Sequence, residues 1–198
     1  MELCFFWEKG MTTSAIPAHA TAALVLADGS VFWGKGIGIQ GTAAGEVCFN
    51  TSMTGYQEIM TDPSYAGQLI SFTFPHIGNV GANADDDESA APFAKGLILR
   101  ADITAPSNHR AETGFNDWLS KNALTGICGI DTRALTHHLR NKGAQNGVIC
   151  HGKINLDALR AQAKNLPDMT GLDMAKVVST KKVYNWNQSM WDAMTGAA

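Results

Sequence analysis

Cys128 is the residue with the most obvious chemical potential, since a thiol at a strand-to-helix turn can be a nucleophile. It lies in Gly126-Ile-Cys-Gly129, with His137 and His138 following as possible bases. A nucleophile elbow, however, needs its second glycine two residues after the nucleophile, and Ile130 occupies that position. Cys128 also falls inside an apolar run, so the expectation is a core thiol, with a cysteine hydrolase as the alternative. The histidines contain no His-Glu-x-x-His and no i, i+4 pair, which argues against zinc. Asp85-Asp-Asp-Glu88 lacks the glycine and the spaced carboxylates of an EF-hand and reads as a solvated acidic turn.

A different kind of chemistry, recognition by hydrogen bonding, is concentrated between Phe49 and Tyr65 and again between Phe74 and Asn79. Hydroxyls, amides and aromatics alternate there with Gly55, Gly67 and Gly78, and Pro63 and Pro75 restrict φ. Packing alone would have produced apolar stripes. The segment therefore reads as a shaped polar surface, with Tyr56, Gln57, His76 and Asn79 as candidate contacts for a partner. Arg133, in Asp131-Thr-Arg133, and Gln145 and Asn146, between Gly143 and Gly147, are further interface candidates.

The elements that must position these groups change character along the chain. Ala22–Ala27, Asp28-Gly29 and Ser30–Trp33 predict a hairpin, because Asp-Gly suits a tight turn. Gly34, Gly36, Gly38 and Gly41 punctuate a further short strand around Ile37 and Ile39, and strands are expected at Glu46–Phe49, Gln68–Phe74 and Lys95–Arg100. Phe115, Trp118 and Leu119 then mark a short helix. Leu124–Ile130 predicts a buried strand, and Asp131 caps a helix reaching Asn141, with Gly143 as its stop. The inner stripe of that helix is Ala134, Leu135, His138 and Leu139. Val148–Cys150 gives a last strand, and Leu156, Leu159 and Ala163 a last amphipathic helix. Early strands and later helices predict an α/β domain of stacked sheet layers covered by helices on one side.

Apolar residues at 45% and charged residues at 17% describe an ordinary soluble globule. A formal charge of -3 without a Lys/Arg cluster excludes an electrostatic case for nucleic acid. No run approaches the roughly 18 apolar residues that a membrane span needs. The four cysteines form no C-x-x-C pair or framework spacing, which suits a reducing, cytoplasmic setting. Residues 1–20 read as a disordered or non-native arm, 21–166 as the domain, and 167–198 as a connector.

Several of these segments together resemble the small, glutamine-hydrolysing subunit of carbamoyl-phosphate synthetase. They are Leu24–Gly29, Gly45–Tyr65 with its Thr-Asp-Pro-Ser-Tyr motif, Pro75–Gly81, Gly129–Thr136 and Lys142–Gly147, in family order. The resemblance implies the amino-terminal domain of that subunit, with a swivelling three-layer β/β/α fold. It implies docking on a large subunit, which carries the ATP and metal ions, and no cofactor in this chain. It also implies one wall of a glutaminase site whose other wall is a glutamine amidotransferase domain, and it makes Ser64 a glutamine-binding position. A serine beside Pro63 offers a positioned hydroxyl for such a role. The Gly-x-Cys-x-Gly elbow of the amidotransferase and its His/Glu partners do not occur in this sequence, so no catalytic residue and no glutamine hydrolysis by this polypeptide alone is expected. The chain is expected to stop where the amidotransferase domain would begin. A free-standing interaction module is the other alternative, suggested by the tryptophan-bearing, unpatterned tail.

Overall fold

The structure, a computed structural model, describes residues 16–187 together with 189, 192, 194 and 195. Most of the expected arm at 1–20 and the last part of the expected connector, with Trp191, lie outside the described residues. Strands β1 (Ala22–Leu26), β2 (Val31–Gly38) and β3 (Gly41–Asn50) come first, followed by helix α1 (Tyr56–Thr61) and a 3-10 turn, Pro63–Tyr65. Then come β4 (Gln68–Phe72), β5 (Gly96–Ile98), α2 (Phe115–Lys121), β6 (Thr125–Cys128) and α3 (Thr132–Lys142). β7 (Gln145–His151), α4 (Leu156–Asn165) and the short α5 (Met174–Val178) complete the order.

The strands close into one barrel in the order β1-β2-β6-β5-β4-β3-β7. β3, β4, β5 and β6 run parallel to one another, while β1, β2 and β7 join through antiparallel ladders. The protein is thus a mixed α/β domain, but its strands form a closed barrel instead of open layers. β7 is responsible: it pairs with β1 on one side and with β3 on the other, so neither edge is left free.

The hairpin forms as its sequence predicts, with Gly29 at φ 88° and the Asp28 carboxylate accepting from the Ser30 amide at 3.0 Å. The expected punctuation occurs at Gly38, which ends β2, and at Gly41, which starts β3, but not at Gly34 and Gly36, through which β2 runs without a break. Those glycines serve close approach. A Cβ on Gly34 would lie 2.3 Å from the Cys128 carbonyl oxygen, and one on Gly36 would overlap the His151 ring.

Apolar side chains sort into three groups. Leu24, Val47, Leu69, Ile98, Ile127 and Ile149 fill the barrel, and Leu135 and Leu139 of α3 pack onto them. α3 therefore plugs an end of the barrel with its expected stripe, although Ala134 and His138 sit at the edge of that stripe, half-buried. Its cap is the expected one: Asp131 Oδ1 accepts from the Ala134 amide at 3.0 Å, and Gly143 ends the helix at φ 89°. Outside the barrel, α1 and α2 cover Ile70, Phe72, Leu97 and Cys128. α4 covers a separate patch on β1 and β7 through Leu159 and Ala163. The helices thus pack at three places around the barrel, not on one side. No helix among the described residues is long and apolar enough to cross a membrane.

Candidate functional site

The polar segment after β3 behaves differently from its sequence reading. Gly55, at φ 81°, turns the chain into α1, a helix that the polar composition concealed. Tyr56 and Gln57, expected as exposed partner contacts, are each only 2% exposed. The Tyr56 hydroxyl donates to the Gly81 carbonyl at 2.7 Å, and its ring centroid lies 4.5 Å from that of Phe115. Burial is the main cause pushing its phenol up to about 12. Gln57 Nε2 donates to the Asn83 carbonyl at 2.6 Å and to Asp87 at 2.8 Å, while its Oε1 accepts from the Asn83 amide at 3.1 Å. A buried amide must find such partners, and it finds them in the following loop.

That loop contains the acidic run, which is more than a solvated turn. Asp86 accepts from Asn83 Nδ2 at 2.8 Å and pairs with Arg110 at 2.7 Å, and both charged side chains are mostly buried. Thr61 Oγ1 accepts from the Glu88 amide at 2.9 Å. Two of the carboxylates, Asp86 and Asp87, are thus engaged in holding α1, while those of Asp85 and Glu88 are exposed, as expected of a solvated turn. Among the described residues no group of His, Cys, Asp and Glu is placed to hold a metal ion.

Other groups in the segment do face outward. Asp62 Oδ1 accepts from the Ser64 amide at 2.7 Å and caps the 3-10 turn, with Pro63 at its start. This fixes the backbone of Ser64 while its hydroxyl stays exposed and without a partner among the described residues. Tyr65 accepts from Asn50 Nδ2 at 2.9 Å, tying the turn to the end of β3. His76 is exposed, edge-on to Phe74 at 5.6 Å. Asn79 is half-buried, and its Oδ1 accepts from the Val80 amide at 3.0 Å. Phe49 and Met53, 44% and 69% exposed, add an apolar surface that the sequence reading did not single out. Phe49 was hidden because it continues a strand pattern, and only the position of the strand's end exposes it.

The remaining candidates divide in the same way. Arg133 is exposed, and Gln145 is half-buried at the start of β7. Asn146 Nδ2 donates to the Leu166 and Pro167 carbonyls at 3.1 and 3.2 Å, so it holds the chain's own segment after α4. Cys128 is fully buried, and its thiol donates to Asp102 at 3.0 Å. Burial, first, and then the Asp102 carboxylate push the thiol up to about 12, the wrong direction for a nucleophile. His138 pairs instead with Asp28 at 2.8 Å, joining α3 to the β1–β2 turn.

A pocket of about 410 Å³ opens where the parallel strands end against α3. Thr51, Thr73 and Arg100 come from just beyond β3, β4 and β5, and Thr132, Arg133 and His137 from α3. The sequence reading named Arg133 but missed its companions, which lie up to 82 residues away in the chain (Thr51 to Arg133).

Comparison with known proteins decides the ancestry. The family model described as carbamoyl-phosphate synthase small chain, CPSase domain, matches residues 24–149. The chain belongs to the carbamoyl-phosphate synthase small chain family. A carbamoyl phosphate synthase small chain from Rhizobium meliloti (strain 1021) is 53% identical over 178 residues, covering 86% of this chain and 44% of that relative. The protein of the same name from Zymomonas mobilis subsp. mobilis is 52% identical over 87% of this chain and 47% of its own length. That from Bradyrhizobium diazoefficiens is 51% identical over 89% and 47%. The chain spans about half the length of these curated relatives and corresponds to their amino-terminal part.

Proposed function

We propose that this chain serves as the docking and pocket-wall domain of a glutamine-hydrolysing carbamoyl-phosphate synthase. In this reading the barrel with its helices is the family's swivelling three-layer β/β/α domain, working in the cytoplasm. It binds the large subunit, where ATP and metal ions are used, and faces a glutamine amidotransferase domain. Ser64 contributes a hydroxyl to bound glutamine, and the chain itself carries no catalytic residue or cofactor. His76, Asn79, Arg133 and Gln145 are the proposed contacts with the partners. Tyr56, Gln57 and Asn146 support them from within, since their side chains are occupied by this chain's own groups.

The observation that carries the reading is the exposed hydroxyl of Ser64 on a backbone fixed by Asp62, within a chain of this family. A positioned hydroxyl loses little entropy on meeting a ligand, which is what a binding wall requires. Calorimetric titration against a cognate large subunit tests the docking half of the proposal. One-to-one binding without ammonia release from glutamine is expected; ammonia release by the isolated chain, or failure to bind, would count against it. In an assembled enzyme, Ser64→Ala should raise the KM for glutamine about tenfold, the loss of one hydrogen bond to a charged group. An unchanged KM would remove Ser64 from the site.

A further inference from the structure

We propose that the pocket between the strand ends and α3 is a binding site for a phosphate-type oxyanion, free or carried on a small molecule. Its position is the first argument. Four consecutive parallel strands, β3 to β6, point their carboxyl ends the same way, and in parallel α/β proteins, open sheets and closed barrels alike, ligands gather just beyond such ends. Here the first residues past the strands are Thr51 and Thr73, with Arg100 two residues past β5. Thr51 and Arg100 offer donors, whereas the Thr73 hydroxyl already donates to the Asn50 carbonyl at 3.3 Å and can only accept; the α3 amino terminus lines the same pocket.

Unspent polar capacity is the second argument. Thr132 is only 2% exposed and lines the pocket, and its hydroxyl has no hydrogen-bond partner among the described residues, although unlike Ser71 Oγ it is not sealed from solvent. A hydroxyl at the wall of a cavity without a partner in the chain is one that a ligand can satisfy. Deeper in the barrel, Ser71 Oγ is buried without a partner as well. It lies in β4, two residues before Thr73, the first residue past that strand.

Charge is the third. Arg133 has no ion pair among the described residues. Arg100 approaches only Asp131, at 4.0 Å, too far for a hydrogen bond. Asp131 is the nearby carboxylate, but its Oδ1 already accepts from the Ala134 amide at the helix cap. Two guanidiniums with planar donor forks match the oxygens of a phosphate better than those of a single neutral ligand. The volume, about 410 Å³, falls within the ordinary range for small-molecule sites, so it leaves room for more than the bare ion.

The test is an amide chemical-shift titration of the full chain with inorganic phosphate, glycerol 2-phosphate and, at matched ionic strength, chloride. Saturable shifts at Thr51, Thr73 and residues 132–134 with both phosphates, and only linear drift with chloride, are expected. Arg133→Gln should weaken phosphate at least tenfold, and Thr132→Val several-fold, with the remaining spectrum unchanged. Tighter binding of the ester than of the ion assigns the site to a phosphorylated small molecule, and equal binding assigns it to free phosphate. Shifts that do not saturate, or that match chloride, overturn the proposal. So does saturable binding that survives Arg133→Gln. Should Thr132→Val perturb the fold, Arg133→Lys supplies a second reading: charge without the planar fork should bind at an intermediate strength.

Discussion

The loop packed against α1 and the pocket beside α3 use the same residue types for opposite ends. Around α1, Gln57, Asn83, Asp86 and Arg110 satisfy one another, and the side chains of Tyr56 and Gln57 disappear into the interior. Beside α3, Thr132 is equally buried but unpartnered, and Arg133 remains exposed. A polar group whose hydrogen bonds are complete inside the chain contributes to stability and has little left to offer a ligand. A group left incomplete contributes little to stability and can bind. Composition cannot distinguish the two, because the distinction lies in where the partners are.

The largest expected effect comes from removing what both regions depend on, the filled barrel. Leu135→Ala, at the plug of the barrel and behind the pocket, should destabilise by about 3–4 kcal/mol in urea unfolding, through lost burial and the resulting cavity. A loss below about 1 kcal/mol would mean that α3 is only loosely seated. Next, Arg110→Ala should cost about 3 kcal/mol, because Asp86 would remain mostly buried without its cation. A near-neutral result would show that the inward network is not what holds α1.

A smaller effect is expected from acid. The Asp28 carboxyl is held below its ordinary 3.8: burial pushes it up, but hydrogen bonds from Ser30 and from His138 outweigh burial. Because its folded value is depressed, its contribution is fully present above about pH 4 and is lost as pH falls through the lower folded value. Asp28→Asn should therefore be less stable than the parent at pH 6, with the difference closing as pH falls below the ordinary carboxylate range. A difference independent of pH would show that the carboxylate's charge is not involved. The smallest effect belongs to Arg133→Gln, expected within about 0.5 kcal/mol of the parent in stability, as for an exposed side chain outside any network. A large loss there would erase the contrast between the two regions.

Much of the fold is legible in the residues. Asp28-Gly29 marks the first turn, and Asp131 and Gly143 bracket α3, because caps and tight turns are local and need only their own side chains and backbone. The apolar stripes of α2, α3 and α4 are equally local in origin. α1 is harder to see, because its buried face is made of Tyr56, Gln57, Met60 and Thr61, half of them polar. An amide or hydroxyl in a sequence suggests exposure unless its partner is known, and Gln57 finds its own 26 residues later at Asn83. The same limitation turned Asn146 from a surface candidate into a latch on Leu166 and Pro167.

By itself, then, the sequence determined the family, most of the strands and the helices α2, α3 and α4, the caps and turns, and the burial of Cys128, because each depends on neighbours within a few residues or on extended motif identity. Tertiary structure alone decided that β7 closes the sheet by pairing with both β1 and β3. It alone decided which polar groups are spent and which remain available. Thr51, Thr73, Arg100 and Thr132 are scattered along the chain and meet only because parallel strands end at one edge and α3 returns to cover it. Long-range pairing makes such a site, and no local pattern records it.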